Sequence, residues 1–434
     1  MGTPAVDEKV QIDGLGRNST STSEPDGEKP NTDSPDFGPA PDGGLTAWLV
    51  AAGGATVFFC CLGFTNAFGA FEEYYLTHQL SVCRRHGGWA DVRSLWGQGE
   101  WFPKTESHFV ADTYQVIRPA ALAYVFAVMM LSLCKTYWQV MLVQGVLMGV
   151  VMGFLQIPVF ASISHWFDRK RAAAFGIVVS GSSIGGVVIP IAISKMLNGT
   201  SLGYGWTVRI IGFLVMPLLA FSCITVKARL PPRVTRIWIP EIFKDNKYLL
   251  LVGAMFFMFM GMFTPLFYIP TYATMRGLDS TLAGYLLAIL NAASTFGRII
   301  PGVLADKIGR INVFAFGGIA TGMIIFCMNS AETSAGLIAY AVIFGFWSGT
   351  IISGASAAIT LCVKDPREVG TYLGMGIFIA AFGTLIGPPI NGALVDKYMG
   401  FFQVSMFSGA LTVFGGLLAI AAKAVTAEGL MGRT

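Results

Sequence analysis

Eleven long apolar runs, most of them separated by short polar loops, leave this chain few ways to fold. They fall at residues 48–71, 120–134, 140–163, 172–197, 208–226, 248–272, 282–305, 313–328, 337–363, 371–394 and 404–422. A bilayer's hydrocarbon core, about 30 Å thick, is crossed by roughly 20 helical residues, and most of the runs approach or exceed that length. In lipid every backbone N–H and C=O must be satisfied internally, so runs of this kind become helices. Composition agrees: 54% of the 434 residues are hydrophobic and 12% charged, against about 25% charged in soluble proteins. The expected fold class is an all-α multi-pass membrane protein.

Several functions are excluded at once. The net charge of +4 is scattered over loops and does not suggest a nucleic-acid partner. Cys60, Cys61, Cys134, Cys223, Cys327 and Cys362 fall in apolar runs, only Cys83 does not, and there is no C-x-x-C pair. His78, His86, His108 and His165 lie outside the runs and read as scattered loop residues, so no metal site is expected. Nor is there a G-x-S-x-G, a Walker loop or a dinucleotide fingerprint. An enzyme is not expected, and no cofactor is implied.

Residues 1–44 read as a disordered tail, rich in Ser, Thr, Pro and acidic residues, with no signal-peptide core. Orientation follows the basic loops: Arg169 to Arg171, the central stretch 227–247, Lys307 with Arg310, and Lys364 with Arg367. These belong on the cytosolic side, as do both termini. Residues 198–205 and 329–336 then face outward, and Asn198-Gly199-Thr200 becomes an external glycosylation sequon. The central stretch, with Pro231, Pro232 and Pro240, divides the chain into lobes at 45–226 and 248–425, followed by a tail at 426–434. Each lobe has a Gly-rich helix after a basic loop, carrying S-G-S-S-I-G-G in one and A-F-G-T-L-I-G-P-P in the other. Such matched interruptions point to a midplane site between lobes; close packing of small residues explains the glycines equally well.

One charge lies inside an uncharged run. Arg298 at bilayer depth costs at least about 2.5 kcal/mol if it meets lipid, so it should face a wet cavity or a partner. Eight residues later comes a compact charged cluster, Asp306, Lys307 and Arg310, which with Gly302 and Gly309 is spaced as G-x-x-x-D-[KR]-x-G-[RK]. This resembles the loop signature of the major facilitator superfamily. The segment P-D-G-G-L-T-A-W (41–48) and H-W-F-D-R-K-R-A-A-A-F-G-I-V-V-S-G (165–181) are similar to the signatures of its monocarboxylate-porter branch, and the fungal members fit best.

The resemblance implies a two-lobed bundle of twelve helices that moves a small organic, anionic or amphipathic solute by alternating access. Gly302, Asp306, Lys307, Gly309 and Arg310, with Arg169 and Arg171, would latch the lobes on the cytosolic side. Arg298 would bind a carboxylate or enolate, with Asn66, Asn291 and Ser294 as polar wall and Tyr268, Tyr272 and Trp347 as aromatic wall. The plainer roles stay open: a cation held by helix-end carbonyls or by Asp306, an Asn66 amide joining helices, and aromatics that pack. The expected partners are a small-molecule substrate and the bilayer of the plasma membrane. Fungal relatives suggest export of a secondary metabolite. Proton-coupled uptake of a monocarboxylate is the alternative, and a non-transporting remnant or sensor is a third reading.

The chain also departs from the family. Animal lactate transporters carry a Lys where this chain has Ala70 and an Asp where it has Ser294, which weakens the case for proton symport. Between residues 77 and 118 the second helix is missing, leaving eleven runs where twelve are expected, and the orientation of the flanking runs requires either a further crossing there or an external N-terminal tail. A mis-assigned intron or frameshifted exon, a degenerate allele, or a genuine insertion each accounts for it. Sequencing the transcript across codons 75–120 separates these readings: the first expects an apolar helix of about 20 residues followed by a G-x-x-x-D loop, the others an unchanged polar segment.

Overall fold

The computed structural model of the chain describes residues 40–75, 113–230 and 239–426, together with Gly38 and Gly429. The expectations for the N-terminal tail before residue 38, for 77–112, for the middle of the linker at 231–238 and for most of the C-terminal tail lie outside the described residues. What is described is helical, with no strand among those residues.

The helices are α1 (Leu45–Asn66), its short continuation α2 (Phe68–Tyr74), α3 (Thr113–Leu131), α4 (Tyr137–Trp166), α5 (Arg171–Gly199), α6 (Gly203–Thr225), α7 (Asn246–Met275), α8 (Ser280–Ile308), α9 (Arg310–Phe326), α10 (Ser334–Ile359), α11 (Val369–Tyr398) and α12 (Phe402–Ala424). Ten helical stretches among the described residues are long and apolar enough to cross a bilayer, and a shorter apolar helix at Gln115–Leu131 is the eleventh. They correspond one for one to the eleven runs. Two local expectations change. α3 begins at Thr113, so residues 113–118 of the polar segment are helical, and His165 is buried in the last turn of α4 instead of lying in a loop.

The direction of the first helices follows from their contacts. Thr225 and Val226, at the linker end of α6, lie against Gly53 of α1, whereas Tyr75 meets Tyr204 at the other end of α6, hydroxyl to hydroxyl at 2.7 Å. Arg118 is within electrostatic reach of Cys223, and the Tyr204 hydroxyl donates to the Leu131 carbonyl at the far end of α3. Thus α1 and α3 run the same way, and Tyr75 and Thr113 border residues 76–112 from opposite ends of the bundle.

Most of these helices are apolar nearly all round, so large apolar side chains occur both in the core and on the outside. Bulky Leu122, Phe126, Phe213 and Phe296 are exposed on the outside. Small residues line the seams, where they let backbones approach. A Cβ on Gly63 would lie 2.6 Å from Gly185 Cα, and one on Gly297 would collide with the Phe346 carbonyl. In this way α1 packs on α5 and α6, and α3 on α4 and α6. In the second group α7 packs on α11 and α12, α9 on α10 and α12, and α8 on α10. There a buried ring of hydrogen bonds ties three helices: Asn391 donates to Thr264 at 2.5 Å, the Thr264 and Ser408 hydroxyls are 2.7 Å apart, and Ser408 donates to the Asn391 carbonyl at 3.2 Å.

The two groups meet chiefly where α5 crosses α8. Gly176 sits against the carbonyl of Arg298, and a Cβ on Gly302 would lie 2.9 Å from the carbonyl oxygen of Ala172. At the linker side Asp306 of α8 accepts the backbone N–H groups of Ala172 and Ala173 at 3.1 and 2.9 Å. These belong to the first turn of α5, whose N–H groups have no intrahelical acceptor. The carboxylate also meets the positive end of the helix dipole. Asp306 is therefore an N-terminal cap supplied from the other half of the molecule. Arg310 adds a bond to the Asp168 carbonyl at 2.6 Å and a looser pairing with Asp306 at 3.4 Å. The short backbone contacts dominate over the long ion pair. Gly309, at φ 105°, permits α9 to start directly after α8.

The other residues expected in the latch do different work. Arg171 is buried and bonds within its own half, to the Phe167 carbonyl at 2.9 Å and to Asp168 at 3.1 Å. Arg169 is exposed and contributes its backbone N–H, and the Lys307 side chain is exposed. A residue not expected there completes the device: Asp42 Oδ1 accepts the N–H groups of Asp168, Arg169 and Lys170 at 2.6, 2.8 and 3.3 Å. Trp48 then packs on Phe167 with ring centroids 5.0 Å apart. The segments 41–48 and 165–181 are thus bound to each other.

Replacing Asp306 by Ala strands the Ala172 and Ala173 N–H groups, at a cost of about 1–3 kcal/mol to the closed arrangement. In a chain whose native cysteines are replaced, a cysteine at Ile352 is expected to be labelled by an impermeant maleimide several-fold faster from the linker side in Asp306→Ala, with Asp306→Asn intermediate. Equal labelling of all three would show that the cap does not hold this seam.

Candidate functional site

A cavity of about 430 Å³ opens between the two helix groups. Its walls come from α1, α4, α5, α7, α8, α10 and α11, and its volume falls within the range of small-molecule sites. Along α7, which starts on the linker side at Asn246, the lining extends from Met255 to Thr271; along α8, which ends on that side at Ile308, it extends from Leu287 to Arg298. Arg298 precedes Ile308 by ten residues, roughly 15 Å at 1.5 Å per residue, or about half the thickness of a hydrocarbon core. On α7 and α8 the lining therefore runs from near mid-depth away from the linker side, while on α10 it reaches Ser356, three residues from that helix's linker-side end.

Arg298 forms the floor. Its side chain is buried and reaches across to α5, where Nη1 donates to the Val179 carbonyl at 2.7 Å and to the Ser182 hydroxyl. These two partners lie in the middle of α5, and Asp306 caps the first turn of that helix two turns nearer the linker side. Room for the guanidinium stem comes from Gly349 of α10, where a Cβ would lie 2.9 Å from Ser294 Oγ and 3.2 Å from Arg298 Cγ. This brings Ser294 and Arg298 together, one turn apart on α8 and both lining the cavity.

Higher in the cavity two amides converge. Asn66 at the end of α1 donates to the Ser182 carbonyl at 3.5 Å, and Asn291 of α8 donates back to Leu287 at 3.0 Å. Gly186 lies between them: a Cβ there would be 2.7 Å from Asn66 Nδ2 and 3.0 Å from Asn291 Cγ. So Asn66, Asn291, Ser294 and Arg298, drawn from both halves of the chain, share one cavity.

The three expected aromatics do not join them. The Tyr268 hydroxyl donates to the Pro388 carbonyl at 3.0 Å, that of Tyr272 to the Asn329 carbonyl at 3.4 Å, and both rings pack on Phe401. Trp347 packs edge-on against Phe316 and Phe346. None of the three lines the cavity. The correction has a geometric reason. Tyr268 and Tyr272 are one turn apart and share a face of α7, whereas Phe259, Phe263 and Phe267, also spaced by four, form the face that looks into the cavity. Phe263 and Phe267 stack at 6.0 Å, and Phe58, Phe68, Phe160 and Phe344 complete an apolar wall.

The arrangement combines one cation, two amides and several hydroxyls with a wall of phenylalanines. It can hold a molecule with an anionic head and an apolar body. No Asp or Glu lines the cavity among the described residues, and no group of His, Cys, Asp and Glu there has the arrangement of a metal site. Ser182 and Val179, missed from sequence, lie in or beside the Gly-rich stretch of the first half; Thr384 of the corresponding stretch in the second half also lines the cavity. Asn198 is exposed in the last turn of α5, at the end remote from Asp306.

Known proteins share this plan. Among solved structures, the human organic anion transporter MFSD10 matches with a TM-score of 0.68 at 13% identity, covering 87% of this chain and 100% of that one. FucP in the outward conformation matches with a TM-score of 0.63 at 12% identity, covering 87% and 98%. At such identities the likeness is one of fold. In sequence the chain is 45% identical over 401 residues to the aspyridones efflux protein apdF of Emericella nidulans, covering 91% of this chain and 81% of that protein. It is 34% identical over 398 residues to the agnestins efflux protein AgnL12 of Paecilomyces divaricatus, covering 89% of each. Residues 53–335 and 299–429 match the sequence profile of the Major Facilitator Superfamily. With this profile and these relatives in agreement, the chain belongs to the Major Facilitator Superfamily of membrane transporters.

Proposed function

We propose that this transporter exports a small amphipathic organic anion, a secondary metabolite, by alternating access between lobes at 45–226 and 248–425 joined by the linker 227–247. The observation that carries the reading is Arg298, a buried cation lining a cavity that is otherwise mostly apolar and rich in phenylalanine. A carboxylate or enolate there gains charge-assisted hydrogen bonds in a low-dielectric setting, while the phenylalanines take up its apolar body. Asn66, Asn291 and Ser294 bond to its polar substituents. The names of the two efflux relatives support the direction. Ser294 in place of a carboxylate gives proton-coupled uptake less support.

In this reading the linker side is cytosolic, both termini are cytosolic, the membrane is the plasma membrane, and the arrangement described is sealed to the cytosol. Asp306, Gly302 and Arg310 keep it sealed. The exposed Asn198 faces outward and accepts a glycan, so a glycosidase that removes N-linked sugars lowers the apparent mass of the wild type but not of Asn198→Gln.

A deletion strain is expected to retain in its cells an acidic, apolar metabolite that the parent releases. Reintroducing the wild type restores release; Arg298→Ala reaches the membrane in equal amount and restores less than about a tenth, a loss of some 1.4 kcal/mol or more in binding. A nutrient left in the medium would point to uptake instead, and an unchanged metabolite profile to a chain that does not transport.

A further inference from the structure

The Arg298 guanidinium is already engaged by the opposite lobe. Nη1 donates to the Val179 carbonyl and the Ser182 hydroxyl, and that hydroxyl donates in turn to the Val179 carbonyl at 2.9 Å. Val179, Ser182 and Arg298 all line the cavity, so this triangle occupies the floor that an anion has to reach. Both acceptors ride on α5, the helix whose first turn is held by Asp306 and whose preceding loop is held by Arg310.

We infer that Val179 and Ser182 are a built-in competitor for Arg298, which displaces the anion as the linker side closes. The inference rests on the reading of Arg298 as the anion ligand. With the linker side open, the guanidinium N–H groups turn to the substrate. On closing, α5 brings a carbonyl and a hydroxyl to the same nitrogen. A neutral acceptor is the weaker partner of a cation, but it is tethered to the chain and arrives at high effective concentration. Closure of the α5–α8 seam supplies the rest of the driving force. The anion loses its strongest contact when the opposite side is the one open to it, and it leaves that way. Ser182 is then a positioning residue that lowers affinity, the reverse of a residue that orients Arg298 for binding.

The two roles predict opposite signs. The test uses the purified full chain, its binding of 1-naphthoate and of the neutral isostere 1-naphthamide, and exchange of labelled naphthoate across proteoliposomes. Ser182→Ala is expected to bind naphthoate about three- to ten-fold more tightly and to turn it over more slowly, with naphthamide unaffected. Ser182→Thr, which keeps the hydroxyl, should behave as the wild type. Weaker or unchanged naphthoate binding in Ser182→Ala overturns the inference. So does failure of both wild type and Ser182→Ala to bind naphthoate, because removing the competitor should uncover the site. Arg298→Ala judges the underlying reading separately: undiminished naphthoate binding there removes Arg298 from the site, whereas lost binding beside an unaltered Ser182→Ala overturns the competitor alone.

Discussion

The approach of α5 to α8, backbone against backbone, is the constraint on which the rest depends. It exists because Gly176 and Gly302 present no side chain to the carbonyls of Arg298 and Ala172. Only at that separation can Asp306 reach the first N–H groups of α5, and only then does Arg298 reach Val179 and Ser182. The seal at one end and the floor of the cavity are thus two consequences of one helix crossing. A membrane interior favours this solution, since lipid gives helices no hydrophobic reason to associate and leaves packing and hydrogen bonds to do so.

The polar groups inside the bundle fall into two kinds. The Asn391, Thr264 and Ser408 ring satisfies itself within one lobe. The Arg298, Asp306 and Arg310 bonds satisfy themselves across lobes, with partners on α5 or in the loop before it. The first kind ties α7, α11 and α12 to one another. Under the proposed alternating access, bonds of the second kind are broken and remade as the lobes rock, and their partners on α5 and the loop before it are mostly backbone groups, which water can satisfy once the seam opens.

Much of this was legible in the sequence because its causes are local. Run length announced the eleven helices, the spacing from Gly302 to Arg310 pointed to the α5–α8 seam, and a lone arginine in an otherwise uncharged run announced a cavity. What escaped depends on partners distant in the chain. Asp42 meets residues 168–170, and Ser182 meets Arg298, only after folding. The misplaced aromatics have another cause. A helix that is apolar on every side has no periodicity to reveal which face is inward, so Tyr268 and Phe267, adjacent in sequence, could not be told apart.

The phenylalanine face of α7 has a bearing on selectivity. Phe259, Phe263 and Phe267 offer a cargo flat surfaces and no directional bond. Such a wall gauges a molecule by thickness and contour, and is nearly blind to where its body carries a double bond or a methyl group. Chemical discrimination is left to the single charged end. A biosynthetic line that changes the apolar part of its product while keeping the acid would therefore need no new carrier.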